Sequence, residues 1–105
     1  MKIVVTGGSG FIGSHIVDEL SKNKRNKIYI FDVVKPEFNL PSNVKYVDGD
    51  ISYKTSIDNI LKGCEELYDC AGVLGTNELV FQTERAIDTN IKGAFNVIQS
   101  CIDNN

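Results

Sequence analysis

Thr6-Gly7-Gly8-Ser9-Gly10-Phe11-Ile12-Gly13 is the stretch on which the fold turns. It follows Ile3-Val4-Val5, an unbroken β-branched run, and leads into a segment where Ile12, Ile16 and Leu20 recur every fourth residue, joined by Val17. Asp18, Glu19 and Lys22 fall on the other side of that segment. A strand apolar on both faces suits the middle of a parallel sheet, whose two sides are covered by helices. The spacing after the glycines predicts an amphipathic helix of about three turns. Gly7, Gly10 and Gly13 then have separate tasks: the tight turn out of the strand, room for a pyrophosphate against bare backbone, and close packing of helix on strand. Phosphates at this place meet the free N–H groups of the first helical turn, where Phe11 and Ile12 stand, and the positive end of the helix dipole.

A glycine triplet alone also fits a merely tight turn, so the context decides. Ile28-Tyr29-Ile30-Phe31 reads as a second buried strand and closes on Asp32, about twenty positions beyond Gly13. A carboxylate there accepts both hydroxyls of an adenosine ribose and repels the extra phosphate of NADP, which favours NAD. Lys35 leaves a small opening for NADP.

The remaining elements continue the alternation. Pro36 and Pro41 bracket a loop, and Val44-Lys45-Tyr46-Val47 alternates as an edge strand would. Ile51 to Leu61 reads as a short helix closed by Gly63, with Asp50 as its N-terminal cap. Leu67-Tyr68-Asp69-Cys70 reads as a weaker fourth strand. A long regular helix follows, from Ala86 to Ile102, with Ile87, Ile91, Ala94, Phe95, Ile98 and Ile102 on one face and Gly93 inside it for a packing reason. The sum is β-α-β-β-α-β-α, an α/β chain with the opening of a Rossmann-type doubly wound parallel sheet of order 3-2-1-4, the fourth strand being an open edge.

Composition narrows the function classes. The chain has 105 residues, a net charge of -3 and 42% hydrophobic content, which is one ordinary globular domain. Mild acidity argues against a nucleic-acid binder, and the basic run Lys22 to Lys27 reads as a solvated loop. Cys64, Cys70 and Cys101 form no C-x-x-C pair, and His15 is the sole histidine, so free thiols are expected and a metal site is not. No apolar stretch approaches the ~20 residues needed to span a bilayer, and no signal peptide is visible, so the expected location is the cytoplasm.

The glycine stretch with Ser14-His15 resembles the opening of the extended short-chain dehydrogenase/reductase family, which includes UDP-glucose 4-epimerases, nucleotide-sugar dehydratases and related reductases. Gly49-Asp50-Ile51 is similar to the family's G-D-[ILV], Cys70-Ala71-Gly72 to its [FL]-A-[AG], and Asn90-Ile91-Lys92-Gly93-Ala94 to its N-x-x-G-[TA]. The resemblance implies that Gly7, Gly10, Phe11, Ile12 and Gly13 seat the pyrophosphate of NAD. It further implies that Asp50 and Ile51 hold the adenine, that Cys70, Ala71 and Gly72 line the middle of the site, and that Asn90 helps order its chemical end. Val73 to Asn77 would lie near the nicotinamide and the substrate. The implied activity is hydride transfer to and from a sugar carbon of a nucleotide sugar, in a protein that often forms homodimers through a helical face.

Two departures stand out. Asp69 takes the place of a histidine that usually precedes the [FL]-A-[AG] motif, which alters local charge. The family's catalytic tyrosine is followed four residues later by lysine, but Tyr29, Tyr46, Tyr53 and Tyr68 are followed at that distance by Val33, Asp50, Ile57 and Gly72. The chain is therefore expected to be a partial dinucleotide-binding domain over 1–105, lacking the catalytic and substrate-binding part and inactive by itself. A non-catalytic binding module and an inactive truncated product are the alternatives.

Overall fold

A computed structural model describes residues 1–73 and 81–104. Its elements are β1 (Lys2–Thr6), α1 (Phe11–Ser21), β2 (Lys27–Asp32), β3 (Val44–Asp48), α2 (Lys54–Ile60), β4 (Glu66–Asp69), α3 (Thr83–Ile87), a π-helical segment (Asp88–Gly93) and α4 (Ala94–Asn104). The four strands are parallel and lie in the order β3-β2-β1-β4, with Val4 opposite Tyr29 on one side and Leu67 on the other. This is the Rossmann-type doubly wound arrangement, with β3 and β4 at the edges.

Alternation along β1 divides the interior in two. Ile3 and Val5 face one side, packed with Val17 of α1, Ile28, Ile30 and Val44. Val4 faces the other, with Phe31, Ile51, Ile57, Leu61 and Val97 of α4. A strand with helices on both sides is apolar at every position, and Ile3, Val4 and Val5 are all buried.

The α1 stripe read from the sequence needs correction only at Ile12, the stripe of the last helix throughout. In α1 the buried positions are Gly13, Val17 and Ser21, while Ile12 is exposed and Ile16 and Leu20 are half-buried. Around α4 the buried set is Ala86, Gly93, Asn96, Val97 and Ser100, and the expected stripe of Ile87, Ile91, Phe95, Ile98 and Ile102 is exposed, each residue at 51% or more. Small residues let these helices approach the sheet closely; on α1 Ile16 and Leu20 still pack against the core beside Val17, whereas the bulky side chains of the last helix point outward. Nor is the last helix regular, because a π-helical turn occupies Asp88–Gly93. The expected packing reason for Gly93 is present: a Cβ there would stand 2.6 Å from Ile51 Cγ1.

α2 begins at Lys54, not near Ile51. The Asp50 carboxylate accepts the Ser52 N–H at 2.9 Å, and the Asp50 carbonyl accepts the Tyr53 N–H at 3.1 Å. Asp50 thus closes a turn ahead of the helix, and the helix cap is Tyr53, without a side-chain bond. Lys54 of α2 bonds Asp58 and reaches across to Asp103 of α4, both at 3.0 Å, and the buried Ser100 hydroxyl donates to Asp58 at 2.6 Å. This cluster ties the two helices together on one face of the sheet.

Candidate functional site

The turn after β1 is built from backbone contacts that leave no space for side chains. Gly7 has a φ of +67°, and a Cβ there would meet the Cys70 carbonyl oxygen at 2.6 Å and the Ala71 nitrogen at 2.7 Å. Its N–H donates to the Phe31 carbonyl at 2.9 Å, and its own carbonyl accepts the Gly10 N–H at 3.0 Å. Gly13 packs from the helix side, where a Cβ would fall 2.3 Å from the Gly7 oxygen. Gly10 caps α1 in extended backbone with no side-chain bond, so the first helical N–H groups are left for an external acceptor.

Asp32 fastens this turn to the end of β2. One carboxylate oxygen accepts the Ser9 N–H at 3.0 Å and the other accepts the Val34 N–H at 3.0 Å, while the Ser9 hydroxyl donates to the Val34 carbonyl at 2.6 Å. Each carboxylate oxygen keeps further lone-pair capacity, which is what a pair of hydroxyl donors would need.

The end of β4 is held from inside the sheet. The fully buried Thr6 hydroxyl donates to the Asp69 carboxylate and accepts the Cys70 and Ala71 N–H groups at 3.2 and 3.4 Å. Asp69, where the resemblance leads one to expect histidine, therefore accepts a hydrogen bond that an unprotonated imidazole nitrogen could also accept. Burial pushes the Cys70 thiol above its usual pKa, and Asp69 adds to the effect, which favours the neutral thiol on this wall of the site. Asn90, in the π-helical turn, clamps the following segment: its Oδ1 accepts the Val73 N–H and its Nδ2 donates to the Val73 carbonyl, both at 2.8 Å. Leu74 to Asn77, expected near the nicotinamide, lie outside the described residues.

Gly7, Gly10, Asp32, Asp50, Ile51, Cys70, Ala71 and Gly72 line one cleft of about 300 Å³ across the carboxyl ends of the strands. Phe11, Ile12 and Gly13 are not part of its lining. Phe11 and Ile12 are exposed, the Phe11 ring meeting His15 edge-on at 4.9 Å, and Gly13 sits behind the turn. Asn90 stays behind Val73, which does line the cleft. Sequence reasoning left out Phe31, Val33, Val34, Gly49, Arg85 and Thr89. The signal for the last two was their spacing: Arg85 and Thr89 are four apart and Thr89 adjoins Asn90, so one helical face carries them. Among the described residues no group of three or more metal-ligating side chains is present, and the three cysteines are free. No described helix is long and apolar enough to cross a membrane.

A parallel sheet with its glycine turn, its acid after β2 and its cleft at the strand ends defines a Rossmann-type domain. The chain belongs to the 3-beta hydroxysteroid dehydrogenase/isomerase family, whose profile matches residues 4–105. It also matches the N-terminal region of NAD-dependent epimerases and dehydratases. It is 31% identical over 105 residues to short-chain dehydrogenase/reductase family 42E member 1 of Xenopus laevis, covering 98% of this chain and 26% of that protein. UDP-glucose 4-epimerase of Thermotoga maritima, solved with UDP-glucose, superposes with a TM-score of 0.88 at 29% identity, covering 99% of this chain and 35% of that one. UDP-glucose 4-epimerase of Thermus thermophilus, solved with NAD, gives a TM-score of 0.81 at 25% identity over 96% of this chain and 33% of that one. The chain thus spans between a quarter and just over a third of the length of these relatives.

Proposed function

We propose that residues 1–105 form the NAD-binding part of an enzyme that moves a hydride to and from a sugar carbon of a nucleotide sugar. The observation that carries this reading is the meeting of the glycine turn, the Asp32 carboxylate, Asp50-Ile51 and Ala71-Gly72 in one cleft. The residues fit the cofactor on physical grounds. The uncapped start of α1 favours the pyrophosphate, Asp32 has lone pairs for the ribose hydroxyls, and Asp50 with the buried Ile51 offers a polar and an apolar contact for adenine. Bound NAD supplies a hydride acceptor, and this chain's residues seat and orient it. Asn90, by holding Val73, orders the chemical end of the cleft. No tyrosine of the chain is followed four residues later by lysine, so these residues alone bind cofactor without turning substrate over.

The negative charge of Asp32 favours NAD over NADP, because a 2′-phosphate would sit against a carboxylate already held in place. Titration of NAD and NADP into the protein and into Asp32→Ala tests this. NAD affinity should fall far more than NADP affinity, and equal losses would remove the ribose role. A cytoplasmic location and a homodimer accompany this reading, with the exposed face of Ile87, Ile91, Phe95, Ile98 and Ile102 as the candidate contact. Sedimentation of the native protein checks the dimer.

A second reading, oxidation of a ring hydroxyl on an apolar alcohol, is favoured by the family whose profile matches the chain. It uses the same cofactor cleft. Assay of the native gene product with UDP-glucose and with a 3β-hydroxysteroid, each with NAD, separates the two.

A further inference from the structure

The cleft has an unbalanced set of charges. Its described lining carries two carboxylates, Asp32 and Asp50, and a single cation, Arg85. A dinucleotide would bring the two negative charges of its pyrophosphate into this setting. The start of α1 offers about half a positive charge through its dipole, which leaves most of that charge unmet. Arg85 comes from α3, the short helix after β4, and also lines an adjoining hollow shared with Asp50, Tyr53 and Thr89. Acidic residues surround it there, namely Asp50, Glu84 and Asp88, yet among the described residues it pairs with none of them. Its one described bond is from Nη1 to the Gln82 side-chain oxygen at 3.0 Å, within the same turn of chain. A guanidinium has five N–H donors in a planar fork that matches phosphate oxygens two at a time, so most of its capacity is uncommitted.

We propose that Arg85 is a phosphate-binding residue of the cleft, neutralising the pyrophosphate from the α3 wall while the glycine turn holds it from the β1 side. This rests on the reading of the cleft as a dinucleotide site. The fork explains why an arginine, long and exposed, stands among carboxylates without pairing to them. It also makes the site two-sided, with backbone N–H groups from one element and an exposed cation from another. Loss of one charge-assisted contact at a wet rim weakens binding by about tenfold.

Calorimetric titration of the purified native protein, Arg85→Gln and Arg85→Lys with NAD, ADP and adenosine tests the proposal. Arg85→Gln should raise Kd for NAD and ADP by about tenfold and leave adenosine unchanged, and Arg85→Lys should recover part of the loss. Arg85 is exposed, so circular dichroism should report an unchanged fold. An equal loss for adenosine would overturn the phosphate role in favour of a contact with the base. Unchanged NAD and ADP binding would overturn it outright while leaving the cofactor reading intact. If the unaltered protein binds neither NAD nor ADP, the cofactor reading fails and Arg85's role falls with it.

Discussion

Helices α1 and α4 cover opposite faces of one sheet, and each presents a glycine, a valine and a serine to it. On α1 these are Gly13, Val17 and Ser21; along the last helix they are Gly93, Val97 and Ser100. The valines enter the two halves of the core, Val17 with Ile3 and Val5, Val97 with Val4 and Phe31. The difference lies at the glycines. Gly13 rests on backbone, the carbonyl of Gly7, whereas Gly93 rests on the side chain of Ile51. Backbone in a tight turn cannot move aside, but an isoleucine can change rotamer. The α1 end is therefore a rigid seat, and the α4 end is an adjustable one entered through a π-helical turn, a feature common near functional sites.

That contrast sets a scale of expected effects. Gly13→Ala should be the most damaging, costing about 3 kcal/mol through overpacking and displacing the glycine turn, as urea denaturation and NAD titration would register. A cost near zero would mean that the turn is softer than its contacts imply. Val17→Ala and Val97→Ala should each cost about 2 kcal/mol, because each removes two buried carbons; unequal losses would show that one face of the sheet is better packed. Gly93→Ala should cost only about 1 kcal/mol, since the crowding of Ile51 is partly offset by the gain in helix propensity.

Acid should act on the α2–α4 side of the molecule. The Ser100 hydroxyl and then Lys54 hold the Asp58 carboxyl below its usual 3.8, and Lys54 and then Gln99 do the same for Asp103. Both groups bind protons more readily when the chain is unfolded. Their contribution is thus present above the unfolded value and is lost as pH falls through the lower folded one. Lys54 shifts upward through Asp103 and Asp58, so its contribution holds below the usual lysine range and is lost only in alkali. Asp58→Asn should flatten the loss of stability below about pH 4, measured as the urea midpoint against pH. The smallest effect is expected at Ile98→Gln, within about 0.5 kcal/mol in the isolated chain, because that side chain is exposed.

The last of these measurements marks where sequence reading stopped. A repeat of isoleucines every three or four residues says that a helix has an apolar face, but not that the face meets its own sheet. Ile12, Ile87, Ile91 and Ile98 carry the strongest apolar signal and point outward, while Gly93 and Ser100, which carry none, point in. The π-helical turn at Asp88–Gly93 was invisible for a similar reason. Within it Asn90 reaches Val73 and Gly93 rests against Ile51, and both contacts join residues distant in sequence.

The sequence by itself determined the succession of strands and helices, the glycine turn and the acid after β2, because those depend on local chemistry: a continuous apolar run for a doubly covered strand, glycine where a Cβ has no room, a carboxylate where a strand ends. Only the tertiary structure decided which helical faces are buried, that Asp50 closes a turn ahead of α2, that Asp69 accepts the Thr6 hydroxyl, and that Arg85 reaches the cleft. Each of these is set by how closely two elements distant in the chain approach one another, and the bulk of the residues between them fixes that distance.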